Sequence, residues 1–201
     1  VEALGVTKNF GRIEAVKGVD LAVQRGELFG LIGHNGAGKS TFFKMLTCEV
    51  IPSSGRIVFA GRDITDLGVA DACQLGLTKS YQINQLFDRL TVRQNLAIAA
   101  LGELRGKFKL DLFKSVPKVR GLDPQIARTA KLVHLSDRLE TPVSELAYGE
   151  KRRLEIGLAL ATSPSLLLLD EPLAGMSPQE RVETVALLRT IAAGRTLIVI
   201  D

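Results

Sequence analysis

Short apolar runs separated by turn-forming residues fill the first third of the chain. Residues 1–7 and 16–23 alternate or cluster apolar side chains, which predicts two β-strands with a turn at Gly11-Arg12 between them. Residues 27–33 predict a short buried strand, and residues 39–48 then follow a helical period. Residues 53–64 predict a turn, a strand and a second turn.

The pattern becomes helical from about residue 86 to residue 161. Three stretches predict helices: the first has Thr91 as N-cap, the second has Asp123 as N-cap with Pro124 at the first helical position, and the third spans residues 149–163. After these, residues 165–170 predict a strand, residues 177–194 a helix capped by Ser177, and residues 196–200 a last strand. This order predicts an α/β core that is interrupted by a mainly helical insertion.

Composition is ordinary for a globular protein with a sizeable core. The chain has 201 residues, 46% hydrophobic and 24% charged, which suits one domain or a domain with a sub-domain. Its net charge of +4 suits phosphate ligands, a membrane face or nucleic acid, and an unremarkable surface is the alternative. The clustered basic and aromatic stripe of nucleic-acid binders is missing, so we expect no nucleic-acid partner.

The cysteines, the histidines and the chain ends bear on the cellular compartment, on metal binding and on how much of the protein the chain represents. Cys48 and Cys73 have no paired spacing, which favours a reduced intracellular compartment, and His34 and His134 alone argue against a histidine-based metal site. No apolar run approaches the ~18 residues of a membrane span and no signal peptide opens the chain, so we expect any spanning part to belong to another subunit. Because the chain starts inside a strand-like run and stops at Asp201 directly after another, we expect a C-terminal part to be missing.

The stretch GHNGAGKST, residues 33–41, matches the phosphate-loop pattern G-x-x-x-x-G-K-[ST] and lies between a predicted strand and a predicted helix. Its glycines let consecutive N–H groups point into one concavity, and the helix N-terminus adds the positive end of its dipole. Lys39 is placed to reach the β- and γ-phosphates, and the Ser40 hydroxyl is placed to ligate Mg²⁺. The alternatives are a glycine-rich turn with a surface lysine and, for His34, a solvent-facing loop residue.

The stretch LLLLDEP, residues 166–172, predicts a strand that is buried on both faces and ends in two carboxylates. Ligands bind at the carboxyl ends of strands in open α/β sheets. Asp170 would hold Mg²⁺ through its water shell, and Glu171 would orient a water for in-line attack on the γ-phosphate. The alternative is that these carboxylates only cap the following turn.

Together these motifs resemble the ABC ATPase family. The resemblance depends on LAYGEKRRLEIGLAL (residues 146–160) directly before LLLLDEP, with the glutamine-bearing SYQINQLF (residues 80–87) between the two nucleotide motifs. It covers essentially the whole chain and implies an α/β fold: a P-loop NTPase (RecA-like) core with an N-terminal antiparallel β sub-domain and an inserted α-helical sub-domain. Residues 1–201 then form one ATPase domain, with the β sub-domain and core in 1–85 and 162–201 and the helical sub-domain in 86–161.

The resemblance also implies ATP and Mg²⁺ as ligands and assigns roles to residues. Phe10 looks like the aromatic residue that stacks on adenine, with Val16 beside it, and Gln82 looks like the glutamine that senses Mg²⁺ and the attacking water. The alternatives are a core or turn aromatic for Phe10 and a surface amide for Gln82. The implied ATP-binding residues are Phe10, Val16, Gly33, Asn35, Gly36, Ala37, Gly38, Lys39, Ser40 and Thr41; the catalytic residues are Glu171, Gln82 and Lys39; and the metal ligands are Ser40, Gln82 and Asp170.

The turn Ala147, Tyr148, Gly149 and Glu150 resembles the family's signature segment, whose commonest form is L-S-G-G-Q. In the family this turn caps the γ-phosphate bound to the opposite subunit, which implies a homodimer or a heterodimer with a second ABC ATPase. Small residues allow close backbone approach, and the following helix presents N–H groups to the anion. Gly175-Met176 looks like part of the loop that crosses the dimer interface.

Two departures from the family pattern bear on activity. Ala147 and Tyr148 replace the usual serine and glycine, so a hydroxyl contact is lost and the backbone donors remain. The family also expects a histidine just past a strand like residues 196–200, and the chain ends before it; without that residue, hydrolysis should be weak. The cations at positions 151–153 either support phosphate attraction or form a solvated helix face.

Within the family, the chain most resembles the ATP-binding subunits of bacterial branched-chain amino-acid importers, which carry the LAYG form. This implies transmembrane permease partners that dock near Leu86 and Phe87, an indirect periplasmic solute-binding protein, and a peripheral location on the cytoplasmic face of the inner membrane. Simple packing is the alternative for Leu86 and Phe87. The runner-up functions are a lipopolysaccharide-export ATPase, a soluble ABC module acting on nucleic acid or the ribosome, and a small-molecule kinase.

Overall fold

A computed structural model describes residues 1–80, 86–105 and 121–201, with only the backbone for residues 102–105. The chain divides into two compact units, one formed by Val1–Lys79, Ser165–Ala174 and Ala192–Asp201, and the other by Ser80–Pro164 and Gly175–Ile191. The elements in chain order are β1 (Glu2–Phe10), β2 (Ile13–Ala22), β3 (Leu28–Leu31), α1 (Lys39–Leu46), β4 (Ser54–Phe59), β5 (Arg62–Asp63), α2 (Val69–Gln74), β6 (Leu77–Ser80), α3 (Val92–Arg105), α4 (Leu122–Leu132), α5 (Tyr148–Ala161), β7 (Leu166–Asp170), α6 (Pro178–Ala192) and β8 (Thr196–Ile200).

The first unit contains an antiparallel sheet in the order β2-β1-β4-β5. The predicted hairpin is confirmed, because β1 and β2 pair in antiparallel register up to Phe10 opposite Ile13, which leaves the turn at Gly11-Arg12. Ala3 and Val6 of β1 are fully buried, whereas their neighbours along the strand are largely exposed. One face of this sheet therefore supplies core.

The same unit contains a sheet in the order β3-β8-β7-β6, in which β8 pairs in parallel with both β3 and β7. The leucines 166–169 of β7 are all buried, as the continuous apolar run predicts for a strand that is covered on both faces. α1 adds Phe42, Phe43, Met45 and Leu46 to the same hydrophobic core. Burial of each such side chain stabilises the fold by about 1.5–3 kcal/mol, so this core fixes both the sheet and the helix that follows the phosphate loop.

The second unit is helical, with α3, α4 and α5 packed against one another. Leu96 of α3, Ile126 of α4 and Leu154 of α5 are almost completely buried there. α5 comes close to its neighbours at Gly157, where an added Cβ atom would lie 3.3 Å from side-chain atoms of both Leu96 and Val133. A helical insertion after the phosphate-loop motif is thus present, as the sequence pattern predicts.

Two of the three predicted helix caps are confirmed. The Thr91 hydroxyl accepts the N–H of Gln94 at 3.2 Å, and the Gln94 side chain accepts the N–H of Thr91 at 2.9 Å, which makes a reciprocal capping box. Ser177 precedes α6 and makes the corresponding exchange with Glu180.

The prediction of Asp123 as an N-cap is wrong. α4 begins at Leu122, with Gly121 as its N-cap at a φ of 93°. Leu122 is 5% exposed, so burial of its side chain favours the longer helix, and glycine tolerates the left-handed conformation that the chain needs just before it. Pro124 still lies in the first turn, where a missing N–H has no helical acceptor to lose.

We expect the two cysteines to differ in reactivity. Cys48 is buried, and burial raises the pKa of its thiol to about 11, whereas Cys73 is exposed. A maleimide reagent at neutral pH should therefore label Cys73 at least about tenfold faster than Cys48, because the thiolate is the reactive form.

Cys73→Ser should remove the fast labelling phase, Cys48→Ser should leave it, and urea should make both thiols reactive. Equal labelling rates for the two thiols in the folded chain would contradict the burial of Cys48.

Candidate functional site

The loop between β3 and α1 is a tight backbone turn built on glycines. Gly36 and Gly38 have φ values of 84° and 86°, in the left-handed region where a Cβ atom is unfavourable. Gly38 is the N-cap of α1, and its carbonyl accepts the N–H of Phe42 at 2.8 Å. Within the loop, the N–H of Ala37 donates to the carbonyl of His34 at 3.2 Å. The loop therefore ends at a helix N-terminus, an arrangement that suits a phosphate group.

Gly38 also lies directly against β2. A Cβ atom at this position would collide with the carbonyl oxygen of Ala15 and lie 3.4 Å from Cγ2 of Val16. Only glycine satisfies both the conformation and this close approach, so β2 sets the position of the last turn of the loop.

Lys39 folds back over the loop that precedes it. Its ammonium donates to the carbonyl oxygen of Gly33, and a Cβ atom on Gly33 would lie 3.6 Å from Cδ of Lys39. Ser40 is exposed and Thr41 is half-buried, both in the first turn of α1. The cation and the hydroxyl that the motif predicts are therefore carried by the same short segment.

A cavity of about 530 Å³ opens beside this loop. It is lined by residues 14–17 of β2, by residues 36–39 of the loop and by Phe42, among others, and Val16 is one of the lining residues. Phe10 is not one of them. Its ring is half-exposed, and the ammonium of Lys8 lies 5.3 Å from its centroid.

The two carboxylates lie at the carboxyl end of β7, in the same unit as the loop. Asp170 of β7 pairs with one side of Ile200 in β8, and Leu31 of β3 pairs with the other side of Ile200. Because neighbouring strands are about 4.8 Å apart, the end of β3 and Asp170 lie at one level of the sheet, about 10 Å from each other. This edge brings together a phosphate loop and two acidic side chains.

Glu171 has an unusual backbone conformation, with a φ of 44° in the left-handed region. Its N–H donates to the carbonyl of Ile200 at 2.9 Å, and its carbonyl accepts the N–H of Ala174 at 3.1 Å. The left-handed conformation costs a residue other than glycine about 1–2 kcal/mol of conformational free energy. Such backbone strain clusters at functional sites. The fold of the chain thus holds Glu171 in a conformation that local preference does not explain.

The turn Ala147–Glu150 belongs to the other unit and begins α5. Tyr148 is 54% exposed and Gly149 is buried. The carboxylate of Glu150 accepts the N–H of Ala147 at 3.0 Å and pairs with Arg138 at 3.1 Å. The N-terminus of α5 is therefore held by an acidic side chain of its own first turn, which complements the helix dipole.

A comparison with known families matches a model described as ABC transporter to residues 16–174 of this chain. The chain belongs to the ABC transporter family. As a member it is an ATP-binding cassette, the nucleotide-binding ATPase of such a system, and the predicted α/β P-loop fold is confirmed.

Individual relatives of this ABC cassette agree with the family match. The high-affinity branched-chain amino acid transport ATP-binding protein BraF of Pseudomonas aeruginosa is 34% identical over 204 residues, covering 100% of this chain and 80% of the relative. The corresponding LivG protein of Salmonella typhimurium is 35% identical over 182 residues, covering 89% of this chain and 71% of the relative. The solved ADP conformation of MJ1267, an ATP-binding cassette of an ABC transporter, is 31% identical with a TM-score of 0.88, over 100% of this chain and 80% of that chain.

The three cations that follow the signature turn of this ABC cassette all contact carboxylates of the same unit. Lys151 lies 3.6 Å from Asp88 and Arg153 lies 3.3 Å from Glu183. Arg152 lies 2.5 Å from Glu155, and burial raises the pKa of Glu155 while Arg152 opposes that shift. These cations are therefore paired within the helical unit itself.

Leu86 and Phe87 lie in a loop of the helical unit, and Gln82 lies outside the described residues. Phe87 is 53% exposed, yet its backbone is clamped by Asn95 of α3, whose side chain accepts the N–H of Phe87 at 2.9 Å and donates to its carbonyl at 3.2 Å. Asn95 is 1% exposed. Sequence reasoning did not single out Asn95. The signal that would have found it is an amide side chain at a position that the helical period places on the buried face.

Glu180 is the other residue that sequence reasoning missed. It lies three residues after the predicted cap Ser177, and this S-x-x-E spacing indicates a capping box. Beyond that capping role it also contacts Gly149 of the signature turn, which nothing in the sequence indicates.

Replacement of Gly38 should damage the phosphate loop more than replacement of Gly36. Gly38→Ala adds a collision with the Ala15 carbonyl to the conformational strain, whereas the Cβ atom of Gly36→Ala would meet no atom within 4 Å. We expect Gly36→Ala to cost about 1–2 kcal/mol of unfolding free energy and Gly38→Ala about 1–3 kcal/mol more, with a larger loss of ATP affinity.

Urea unfolding and equilibrium binding of a fluorescent ATP analogue measure the two effects. Equal losses for the two variants would show that Ala15 does not determine the position of the loop.

Proposed function

We propose that this cassette binds Mg-ATP at the edge of the parallel sheet and powers uptake of branched-chain amino acids or related small solutes. The main observation that supports the nucleotide site is that the phosphate loop and the Asp170-Glu171 pair follow strands on either side of β8 that end at the same level of the sheet. A cavity of about 530 Å³ beside the loop, lined by Val16 and residues 36–39, is of a size that suits a small ligand.

In this proposal the triphosphate is bound by Gly33, by residues 35–41 and by Lys39 in particular. Backbone N–H groups of the loop and the N-terminus of α1 donate to phosphate oxygens, and the Lys39 ammonium exchanges the Gly33 carbonyl for the β- and γ-phosphates. Val16 supports the adenine end of the ligand, and Phe10 of the same unit stacks on the base.

The donor set fits Mg²⁺. Among the described residues no group of three His, Cys, Asp or Glu side chains could hold a metal ion without help. Ser40 and Asp170 offer a hydroxyl and a carboxylate, and Mg²⁺ usually takes only one or two protein oxygens together with waters and phosphate oxygens. Ser40, Asp170 and Gln82 would hold the ion, which would neutralise charge on the phosphates.

Glu171 is the residue that we assign to the attacking water. Its carboxylate follows the metal-binding Asp170 directly, and its strained backbone is fixed by the hydrogen bond to Ile200. A carboxylate held there orients water and accepts its proton. Gln82 joins Glu171 and Lys39 as the third catalytic residue.

The signature turn Ala147–Glu150 acts on a second nucleotide, bound to another ABC ATPase chain. Two copies related by a two-fold axis would each supply a phosphate loop and a signature turn, so ATP favours the closed pair by binding it more tightly than the separate chains. The partner is a second copy or a related ABC ATPase.

Glu171→Gln should separate binding from hydrolysis. The amide preserves the shape of the carboxylate but accepts no proton, so we expect hydrolysis to fall by at least about a hundredfold and ATP-bound dimers to accumulate. Sedimentation velocity with and without Mg-ATP measures the association.

Lys39→Ala in the same background is the control, because loss of the phosphate cation should abolish both tight triphosphate binding and dimerisation. Normal hydrolysis by Glu171→Gln would overturn the role of Glu171, and a monomer at saturating Mg-ATP would overturn the shared site.

The transport role rests on the relatives and on one exposed loop. The two curated relatives above carry branched-chain amino acid transport in their names. None of the helices in the described part of the chain has the length and apolar character of a membrane span. Transmembrane permease subunits would dock at Leu86 and Phe87, where Asn95 holds the backbone of Phe87, and a periplasmic solute-binding protein would act through them. This arrangement puts the cassette on the cytoplasmic face of the bacterial inner membrane.

Phe87→Asp should uncouple transport from nucleotide binding. In cells that lack the chromosomal gene, we expect the wild-type gene to restore leucine uptake and Phe87→Asp to restore at least about tenfold less, because a charge replaces an apolar contact. The purified variant should bind ATP normally.

Ile98→Asp is the matched control, since Ile98 is another apolar residue of the same unit, 44% exposed, that lies within α3 rather than in the loop. Full uptake with Phe87→Asp would refute docking at this loop, and leucine uptake that does not depend on the gene would refute the assigned solute.

A further inference from the structure

The signature turn and the segment Gly175–Glu180 fit together through two glycines. A Cβ atom on Gly175 would lie 2.9 Å from the phenolic oxygen of Tyr148 and 3.3 Å from its Cζ. A Cβ atom on Gly149 would collide with Oε1 of Glu180 and lie 3.1 Å from its Cδ. Each segment thus has a glycine that makes room for a side chain of the other, and all four residues belong to the helical unit.

Glu180 is held on both sides of its carboxylate. Its Oε2 accepts the N–H of Ser177 at 2.9 Å and the Ser177 hydroxyl at 2.7 Å. The N–H of Gly149 donates to the same carboxylate. These hydrogen bonds, with those from Ser177 the strongest, lower the pKa of Glu180, so the side chain is an anion at neutral pH. One carboxylate therefore joins the start of α6 to the first turn of α5.

This contact lies at the N-terminus of α5, where the direction of the backbone N–H groups determines what they can bind. The first N–H groups of a helix have no acceptor within the helix, so an anion that binds one of them also orients the others. Donors that stabilise a reacting phosphate must already be in place, and a misplacement of about 1 Å costs up to about a hundredfold in rate. The exposed Tyr148 ring, which takes the place of a glycine in the usual signature, packs on Gly175 and limits the same motion.

We propose that Tyr148 and Glu180 are positioning residues for ATP hydrolysis. They hold the signature turn against the segment Gly175–Glu180, so that the turn and the segment approach the partner's nucleotide together. This inference rests on the proposed function, because it requires a nucleotide shared between two chains.

Variants of Glu180 test the inference by dimerisation and by kinetics. In the Glu171→Gln background, Glu180→Ala should raise the ATP concentration that gives half-maximal dimer by about tenfold. In the otherwise unchanged chain, it should lower kcat by about tenfold or more, whereas the affinity of the separate, undimerised chain for ATP should stay within about twofold, because the phosphate loop belongs to the other unit. Glu180→Gln keeps Cγ, Cδ and one acceptor oxygen, so it should recover part of both losses.

Glu183→Gln is the matched control. Glu183 lies about one turn further along α6, its side chain is 49% exposed, and its partner is Arg153 at 3.3 Å. The Glu183 carboxylate is half-exposed, so water can solvate the cation that it leaves, and we expect kcat and dimerisation within about twofold of the parent. Thermal unfolding checks each fold, and Glu180→Gln carries the test if Glu180→Ala does not fold.

A double-mutant cycle tests the contact itself. Gly149→Ala should lower the free energy of unfolding when Glu180 is present, but it should add little to the effect of Glu180→Ala, because the collision is then removed. Additive losses would contradict the contact.

The outcomes separate the inference from the proposed function. If the Glu171→Gln parent does not dimerise, both fail. If the parent dimerises and Glu180→Ala changes neither its dimerisation nor the kcat of the otherwise unchanged chain, only the positioning role is overturned. A rise in kcat would show that the carboxylate competes with the phosphate, which also overturns it.

Discussion

The pairing of β8 with both β3 and β7 is the interaction on which the nucleotide site depends. Ile200 faces Leu31 on one side and Asp170 on the other, so the phosphate loop and the acidic pair end at one level of the sheet. A slip of one residue in either pairing would turn every side chain of that strand to the opposite face. The buried leucines of β7 and the core side chains of α1 resist such a slip, because it would expose them to water.

Backbone conformation at the sheet edge follows from the same constraint. Gly38 is pressed against Ala15 of β2, and Glu171 is held at a φ of 44° by its hydrogen bond to Ile200. Glycine adopts its conformation at Gly38 readily, but the conformation of Glu171 is not favoured locally, so the packed sheet must supply the difference at Glu171. Strain that is concentrated where phosphate and water would meet is what a preorganised active site requires.

The motifs that we assign to the nucleotide site lie in two separate compact units. The phosphate loop and the acidic pair belong to the first unit, and the signature turn belongs to the second. Each part is stabilised within its own unit, the loop by β2 and the turn by Glu150 and Glu180. This division fits the presence of a turn followed by three cations upstream of the strand LLLLDEP: the cations pair with carboxylates of the helical unit, and in the proposed function the turn is left for a partner's nucleotide.

Elements with a strong period or a fixed motif could be predicted from the sequence. The phosphate loop, the apolar strand that ends at Asp170 and the caps Thr91 and Ser177 each depend on neighbouring residues alone. α2 and β6 have six and four residues and were not predicted, because runs this short show no clear period.

Other features depend on contacts between distant residues and could not be predicted. Gly121 rather than Asp123 caps α4, because the burial of Leu122 extends the helix. The clamp that Asn95 makes on Phe87 and the contact between Glu180 and Gly149 join residues that are 8 and 31 positions apart. Local sequence marks Asn95 as a buried amide and Glu180 as part of a capping box, but it does not indicate which distant residues they contact.

A crystal structure of the Glu171→Gln chain with ATP and Mg²⁺ would show whether two chains share each nucleotide. We predict two chains related by a two-fold axis, with the turn Ala147–Glu150 of each chain against the γ-phosphate that Lys39 of the other chain binds. A triphosphate bound by one chain alone, with Tyr148 and Gly149 facing solvent, would contradict it.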